Sequence, residues 1–388
     1  MAMNFKSLGM SAQAVAVVYA TSLAIVMLNV GPALEVQLRH EAGLSVGRIG
    51  VLYFVELAAM GLATLPAYAW LGRVDEARVA QCAYAVFVLG SVLSALVLNS
   101  FFLLVAARGA TGMAAGTLMV LGMTAGARAH NPNRMYATIT FGQLASGAII
   151  LYWLPSLSVG GSGVRGVFCL GALLGAFGLL LTRPFAATGY RGALPADRRF
   201  LLTRVELRAM VFAVAFAMVF NMVVGGLWAF IGEYASGAGA SDARIAQVLT
   251  YGTLVGMAGA AAAFAVGDRV ARRALLLNGY AAIALGSGIL HVVRGDSGFA
   301  AGCYVLSFGW NFSVPFVFAA VAAHDSTGRA VSSMNLAFAF GLGLGPLLAG
   351  AVIQSAGLDA LGPFLLGGLG LGTLLMFHIT RRPVPLPH

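Results

Sequence analysis

The chain has 388 residues, 60% of them hydrophobic and 9% charged, with a mean hydropathy of +0.90. A soluble globular chain carries about a quarter charged residues, so this composition excludes an ordinary soluble domain and predicts an integral membrane protein. The net charge of +10 then belongs to loops facing the cytoplasm, and no nucleic-acid partner is expected.

Lys6 precedes the first long apolar run, with no small-residue cleavage site before it, which predicts an uncleaved first span. It is the only lysine. A Walker A phosphate loop needs a lysine on the phosphates, and a Schiff base needs a lysine nucleophile within reach of its cofactor. Neither chemistry fits this chain. Cys82, Cys169 and Cys303 fall in different apolar segments without metal-site spacing, so no metal, cofactor or disulfide framework is expected. No nucleophile–base set stands out in the apolar segments, and the chain does not read as an enzyme.

A membrane helix needs about 20 apolar residues. That ruler predicts spans at 14–36, 49–71, 79–98, 101–124, 136–157 and 164–181, then at 209–231, 245–266, 274–293, 299–322, 331–353 and 361–379. Residues 182–208 form the longest polar connection and hold six arginines. The expected fold is an all-α polytopic membrane protein with twelve transmembrane helices in two pseudo-symmetric six-helix bundles. The bundles would be 1–181 and 209–388, joined by a central cytoplasmic loop at 182–208. With both termini inside, 17 basic residues face the cytoplasm and five face out, which is the positive-inside bias expected of a cell (plasma or inner) membrane protein. The second six spans begin 195 to 198 residues after the first six. Two parallel six-helix repeats are a transporter plan, with the solute site near mid-membrane between them.

Span 4 carries LVAARGATGMAAG at 104–116, which sets Arg108 in an otherwise apolar or small-residue helix. An arginine at membrane depth costs roughly 3 kcal/mol on insertion scales, so a carboxylate, a polar cavity or a bound anion must stabilise it. Gly112 and Gly116 supply a small-xxx-small face for close helix packing. Glu56 lies seven residues into span 2 and Arg108 seven into span 4, each roughly 10 Å below the outer surface at 1.5 Å per residue. This points to Glu56 as a proton carrier and to Arg108 as its alternate partner with substrate. The alternative is a static lock between helices. Glu35, one turn before Arg39, reads as a surface ion pair, and Glu233 and His291 read as interfacial residues.

Polar and aromatic residues at helical spacing mark one face on several spans. Span 1 has Ser22 and Asn29; span 5 has Gln143, Ser146 and Trp153. Span 7 has Asn221, Gly225 and Trp228; span 10 has Tyr304, Ser307 and Asn311, with Trp310 adjacent. Taken together, these stripes predict a shared central cavity, since faces toward lipid would exclude them. Singly, each is helix–helix glue. One buried arginine with amides and rings suits a small amphipathic molecule, such as a carboxylate on Arg108 with a ring against Trp228 or Trp310.

GRVDEAR at 72–78 follows span 2, and GDRVARR at 267–273 follows span 8. With the Arg-x-x-x-Gly-x-x-x-Gly run of span 4, these loops resemble the major facilitator superfamily, over nearly the whole chain. The second loop keeps Asp268, Arg269, Arg272 and Arg273, with Ala271 where that family usually has glycine. The first keeps Arg73 and Arg78, with Gly72 where it has aspartate. The resemblance implies that these loops take part in gating. Span 5 lacks the Gly-Pro pair common in the family's drug–proton antiporters, and the subfamily is open. The expected function is secondary active transport by alternating access, as proton-coupled symport of a small organic anion by a monomer in the lipid bilayer. Its rivals are a proton-coupled exporter of amphipathic compounds and a transporter-like sensor that does not transport.

Overall fold

The computed structural model describes residues 11–71, 73–129, 132–158, 163–186, 204–236, 239–266, 269–322 and 329–380. These residues form twelve successive helical rods at the predicted places. Span 1 comprises Ala12–Ala24 and Val26–Ala42; span 2 comprises Val46–Leu62 and Thr64–Trp70. Spans 3 to 6 are Glu76–Leu96, Phe101–Ala127, Pro132–Ser158 and Gly163–Leu179. Span 7 comprises Arg204–Ala229 and Ile231–Ser236; spans 8 to 12 are Asp242–Val266, Arg272–Val292, Asp296–Ala322, Arg329–Ala356 and Leu361–Thr380. Ten of the described helices are long and apolar enough to cross a membrane.

The breaks inside rods have local causes. Pro66 has no N–H to offer the carbonyl of Leu62, and span 2 interrupts at Ala63 just before it. At Ile25 the cause comes from another helix. The Gln143 side-chain amide of span 5 donates to the carbonyl of Thr21 at 3.3 Å, the acceptor that the Ile25 N–H would use in an unbroken helix. The Ile25 N–H turns to Leu23 instead. A side chain inserted into the backbone ladder is a recognised origin of a helix break.

The described chain divides into two compact units. Unit 1 holds residues 1–30 and 59–197, and unit 2 holds residues 31–58 and 198–388. In unit 1, span 1 packs on spans 4, 5 and 6, span 3 packs on spans 4 and 6, and the second half of span 2 meets span 4. In unit 2 each of these pairings recurs six spans later: 7 on 10, 11 and 12, 9 on 10 and 12, and 8 on 10. Similar contacts at matched places are the signature of an internal repeat, which the span spacing predicted.

Small residues set the helix separations. A Cβ added at Gly116 would lie 2.1 Å from the Met60 carbonyl oxygen, so spans 2 and 4 touch backbone to backbone in unit 1. In unit 2 a Cβ at Gly50 would lie 2.5 Å from the carbonyl oxygen of Pro346, on span 11. Lipid tails are as apolar as leucine, so such approaches, with their dispersion contacts, hold membrane helices together.

Candidate functional site

In unit 1, Arg108 is 1% exposed, and its guanidinium carbon stands 5.2 Å from the Phe168 ring centroid on span 6. The ring quadrupole attracts a cation placed over its face, and that attraction grows when water is excluded. Nothing in the sequence marked Phe168, because one more aromatic residue in an apolar helix carries no signal.

The other unit 1 candidates on spans 1 and 5 are joined to each other. Asn29 donates to the Gln143 backbone carbonyl at 3.1 Å, and Gln143 donates to Thr21 as described above. Gln143 also lies 3.9 Å from the Met119 sulfur, and Ser146 donates to the Gln143 carbonyl at 2.9 Å. These amides stitch span 1 to span 5. Trp153 stands apart from them: it is 60% exposed, with its ring edge-to-face against Tyr152 at 5.7 Å. Glu56, half-buried on span 2, belongs to unit 2, whereas Arg108 belongs to unit 1.

In unit 2 the rings of Trp228 and Trp310 meet edge-to-face at 5.8 Å, bringing the predicted faces of spans 7 and 10 together. Asn221, two turns before Trp228, is buried; its amide nitrogen donates to Ala217 at 2.7 Å. Its carbonyl oxygen Oδ1 is buried with no hydrogen-bond partner among the described residues, an acceptor left to a ligand or water. Asn311 is turned toward span 8, where a Cβ at Gly256 would meet its Nδ2 at 2.6 Å, and it donates to the Ser307 carbonyl at 3.0 Å. Ser307 is buried and Tyr304 is partly exposed.

Glu35 departs from its sequence reading. It is not on the surface: the whole residue is buried, and Arg39 is bound instead to Glu233 of span 7. Tertiary packing brought a better partner than the one available a turn away. His291 lies between the Tyr234 hydroxyl, 3.0 Å from Nδ1, and the Asp359 carbonyl, 2.9 Å from Nε2.

The arginines of the two loops take separate roles. Asp75 caps span 3 by accepting from the Ala77 N–H at 3.0 Å, and Arg78 lies 3.6 Å from that carboxylate. Arg73 donates to the Ala69 carbonyl at 3.3 Å. Glu76, nearly buried at the start of span 3, receives Arg128 from the end of span 4 at 2.7 Å, a pair with no signal in the sequence. In the second loop, Arg272 donates to the Ala319 carbonyl of span 10 at 3.1 Å, Arg273 stacks 3.9 Å from the Phe377 ring of span 12, and Arg269 is exposed. Asp268 and Gly72 lie outside the described residues. So does most of the predicted 182–208 loop.

Among the described residues, no cluster of three or more His, Cys, Asp or Glu side chains is placed to hold a metal ion. A model of the Major Facilitator Superfamily matches residues 14–327. The chain belongs to that superfamily. Two solved structures of similar fold are the nucleoside transporter NupG and a D-xylose-proton symporter. NupG matches with a TM-score of 0.71 and 13% identity, over 96% of this chain and 99% of its own. The symporter matches with a TM-score of 0.71 and 16% identity, over 96% and 97%. At such identities the likeness is one of fold. Among curated proteins none matches the chain. This major facilitator protein is a multi-pass membrane transporter.

Proposed function

We propose that this major facilitator protein is a secondary active transporter that moves a small organic solute, best a carboxylate, by alternating access coupled to proton symport. The observation that carries the reading is Arg108. A guanidinium with 1% exposure in an apolar span, set against the Phe168 ring, is a cation prepared for an anionic group that arrives without its water. Glu56 is the proton carrier, and Arg108 receives the carboxylate of the solute. Substrate-facing residues are drawn from both repeats: Asn29, Arg108, Gln143 and Trp153 from the first; Asn221, Trp228, Tyr304, Ser307, Trp310 and Asn311 from the second. The D-xylose-proton symporter of similar fold supports proton coupling by analogy alone.

The repeats are residues 1–181 and 209–388, linked through 182–208. The protein lies in the cell membrane as a monomer with both termini in the cytoplasm, and Arg73, Arg78, Asp268, Arg269, Arg272 and Arg273 serve the cytoplasmic gate. A second reading, export of amphipathic compounds, is favoured by the Trp228–Trp310 corner, which offers ring faces without a charge.

A thermal-shift screen of the purified protein against a metabolite panel tests the proposal. Monocarboxylates with an apolar body raise the melting temperature, and Arg108→Ala loses that response. Stabilisation by neutral or cationic amphiphiles alone, unaffected by Arg108→Ala, assigns the protein to the second reading.

A further inference from the structure

The C-terminal end of span 1 holds an arrangement that the transport reading leaves unused. Glu35 is wholly buried on the helix Val26–Ala42, and neither of its carboxylate oxygens has a hydrogen-bond partner among the described residues. Two charged groups face it: the Glu233 carboxyl, from the helix Ile231–Ser236 that ends span 7, and the Arg39 guanidinium, one turn along its own helix. Arg39 is already bound to Glu233. The surrounding contact is tight, since a Cβ at Gly232 would lie 3.0 Å from both the Pro32 carbonyl oxygen and the Val36 side chain. All these residues belong to unit 2.

Charge balance decides what this cluster holds. Two ionised carboxyls and one guanidinium leave one uncompensated negative charge beside a side chain that no water reaches. Like charges in contact cannot both persist there, and adjacent carboxyls resolve the conflict by sharing one proton. A single proton makes the cluster neutral, and it supplies the O–H donor that the Glu35 oxygens find nowhere else among the described residues.

We propose that Glu35 and Glu233 form a shared proton site, with Arg39 as counter-ion, and that the shared proton latches the end of span 1 onto the end of span 7. With the proton in place, a carboxyl–carboxylate hydrogen bond ties the two helices. When it leaves, two carboxylates oppose each other, Arg39 serves one of them, and the contact loosens. The site is separate from Glu56 and Arg108 and stands whether or not those residues carry the coupling.

The test is an infrared pH titration of the full chain in lipid nanodiscs, following the carbonyl stretch of protonated carboxyls. The wild type shows a band that disappears on raising the pH, and both Glu35→Gln and Glu233→Gln remove it. Glu56→Gln leaves it in place, which separates this site from the proposed coupling carboxyl. A band that survives both single changes, or is lost in one of them alone, overturns the shared site. Hydrogen–deuterium exchange of Ile231–Ser236 tests the latch. In the wild type, exchange corrected for its chemical pH dependence rises severalfold on deprotonation, whereas Glu35→Gln, which keeps the size and a donor, holds it low at every pH. Equal pH profiles for the two proteins overturn the latch.

Discussion

The Arg108 guanidinium and the Phe168 ring stand 5.2 Å apart at a position nearly closed to water. A desolvated cation–π contact contributes about 2 kcal/mol, less than the cost of an arginine at membrane depth, so the ring stabilises the cation only in part. Phe168→Leu keeps the apolar volume and removes the quadrupole; it lowers stability by about 1–2 kcal/mol and preserves solute binding. Arg108→Lys keeps the charge and loses the planar fork, and it weakens binding of a carboxylate by about tenfold or more. Calorimetric titration with the best ligand from the metabolite screen, and chemical denaturation in detergent, measure the two effects separately.

Arg128 and Glu76 form a pair in which the acid is almost wholly buried and the base is partly wet. Breaking a buried ion pair by removing one partner typically costs about 3–5 kcal/mol. Arg128→Ala is therefore strongly destabilising, and adding Glu76→Gln to it recovers most of the loss. A double-mutant cycle read by denaturation midpoint checks the coupling. Additive losses contradict it.

Gly50 and Pro346 meet through backbone atoms, with no room for a side chain between them. Gly50→Val keeps spans 2 and 11 from closing on each other. The added side chain meets the Pro346 backbone inside unit 2, which costs about 1–3 kcal/mol in overpacking. Gly116→Val acts alike on spans 2 and 4 of unit 1. It costs about 1–3 kcal/mol in overpacking and lowers yield as well as transport. Chemical denaturation in detergent, read beside transport, measures both losses.

How legible each feature was depends on what fixes it. Span 4 was expected at 101–124 and runs Phe101–Ala127; span 12 was expected at 361–379 and runs Leu361–Thr380. The bilayer demands an apolar helix of set length, and that demand is written locally in the chain. The break at Ile25 is written elsewhere, in a glutamine 118 residues away on span 5. The same glutamine shows the limit of face-reading: the stripe holding Asn29 and the one holding Gln143 marked faces that are not toward lipid, yet spacing alone does not say whether such a face meets a cavity or another helix. Glu35 and Arg39 carried a one-turn signal, and the stronger partner, Glu233, was visible only after the ends of spans 1 and 7 came together. Phe168 had no signal at all.

Trp228 and Trp310, two of the predicted aromatic candidates, meet edge-to-face within unit 2. Replacing either with alanine removes ring area and opens the corner. An aromatic pair contributes about 0.5–1.5 kcal/mol beyond its buried area, so each change weakens binding of a ring-bearing solute by about twofold to about tenfold, and of a small aliphatic one far less. Competition binding with matched aromatic and aliphatic carboxylates measures the difference. Equal losses for both ligands contradict a ring-recognition role.

The central claim is movement of a carboxylate together with protons, and uptake by proteoliposomes under an imposed pH gradient, acid outside, addresses it directly. The labelled carboxylate accumulates above its external concentration, a protonophore abolishes the accumulation, Glu56→Gln retains exchange without accumulation, and Arg108→Ala abolishes both. Saturable binding with neither uptake nor exchange at any gradient contradicts the account and leaves a ligand-binding sensor in its place.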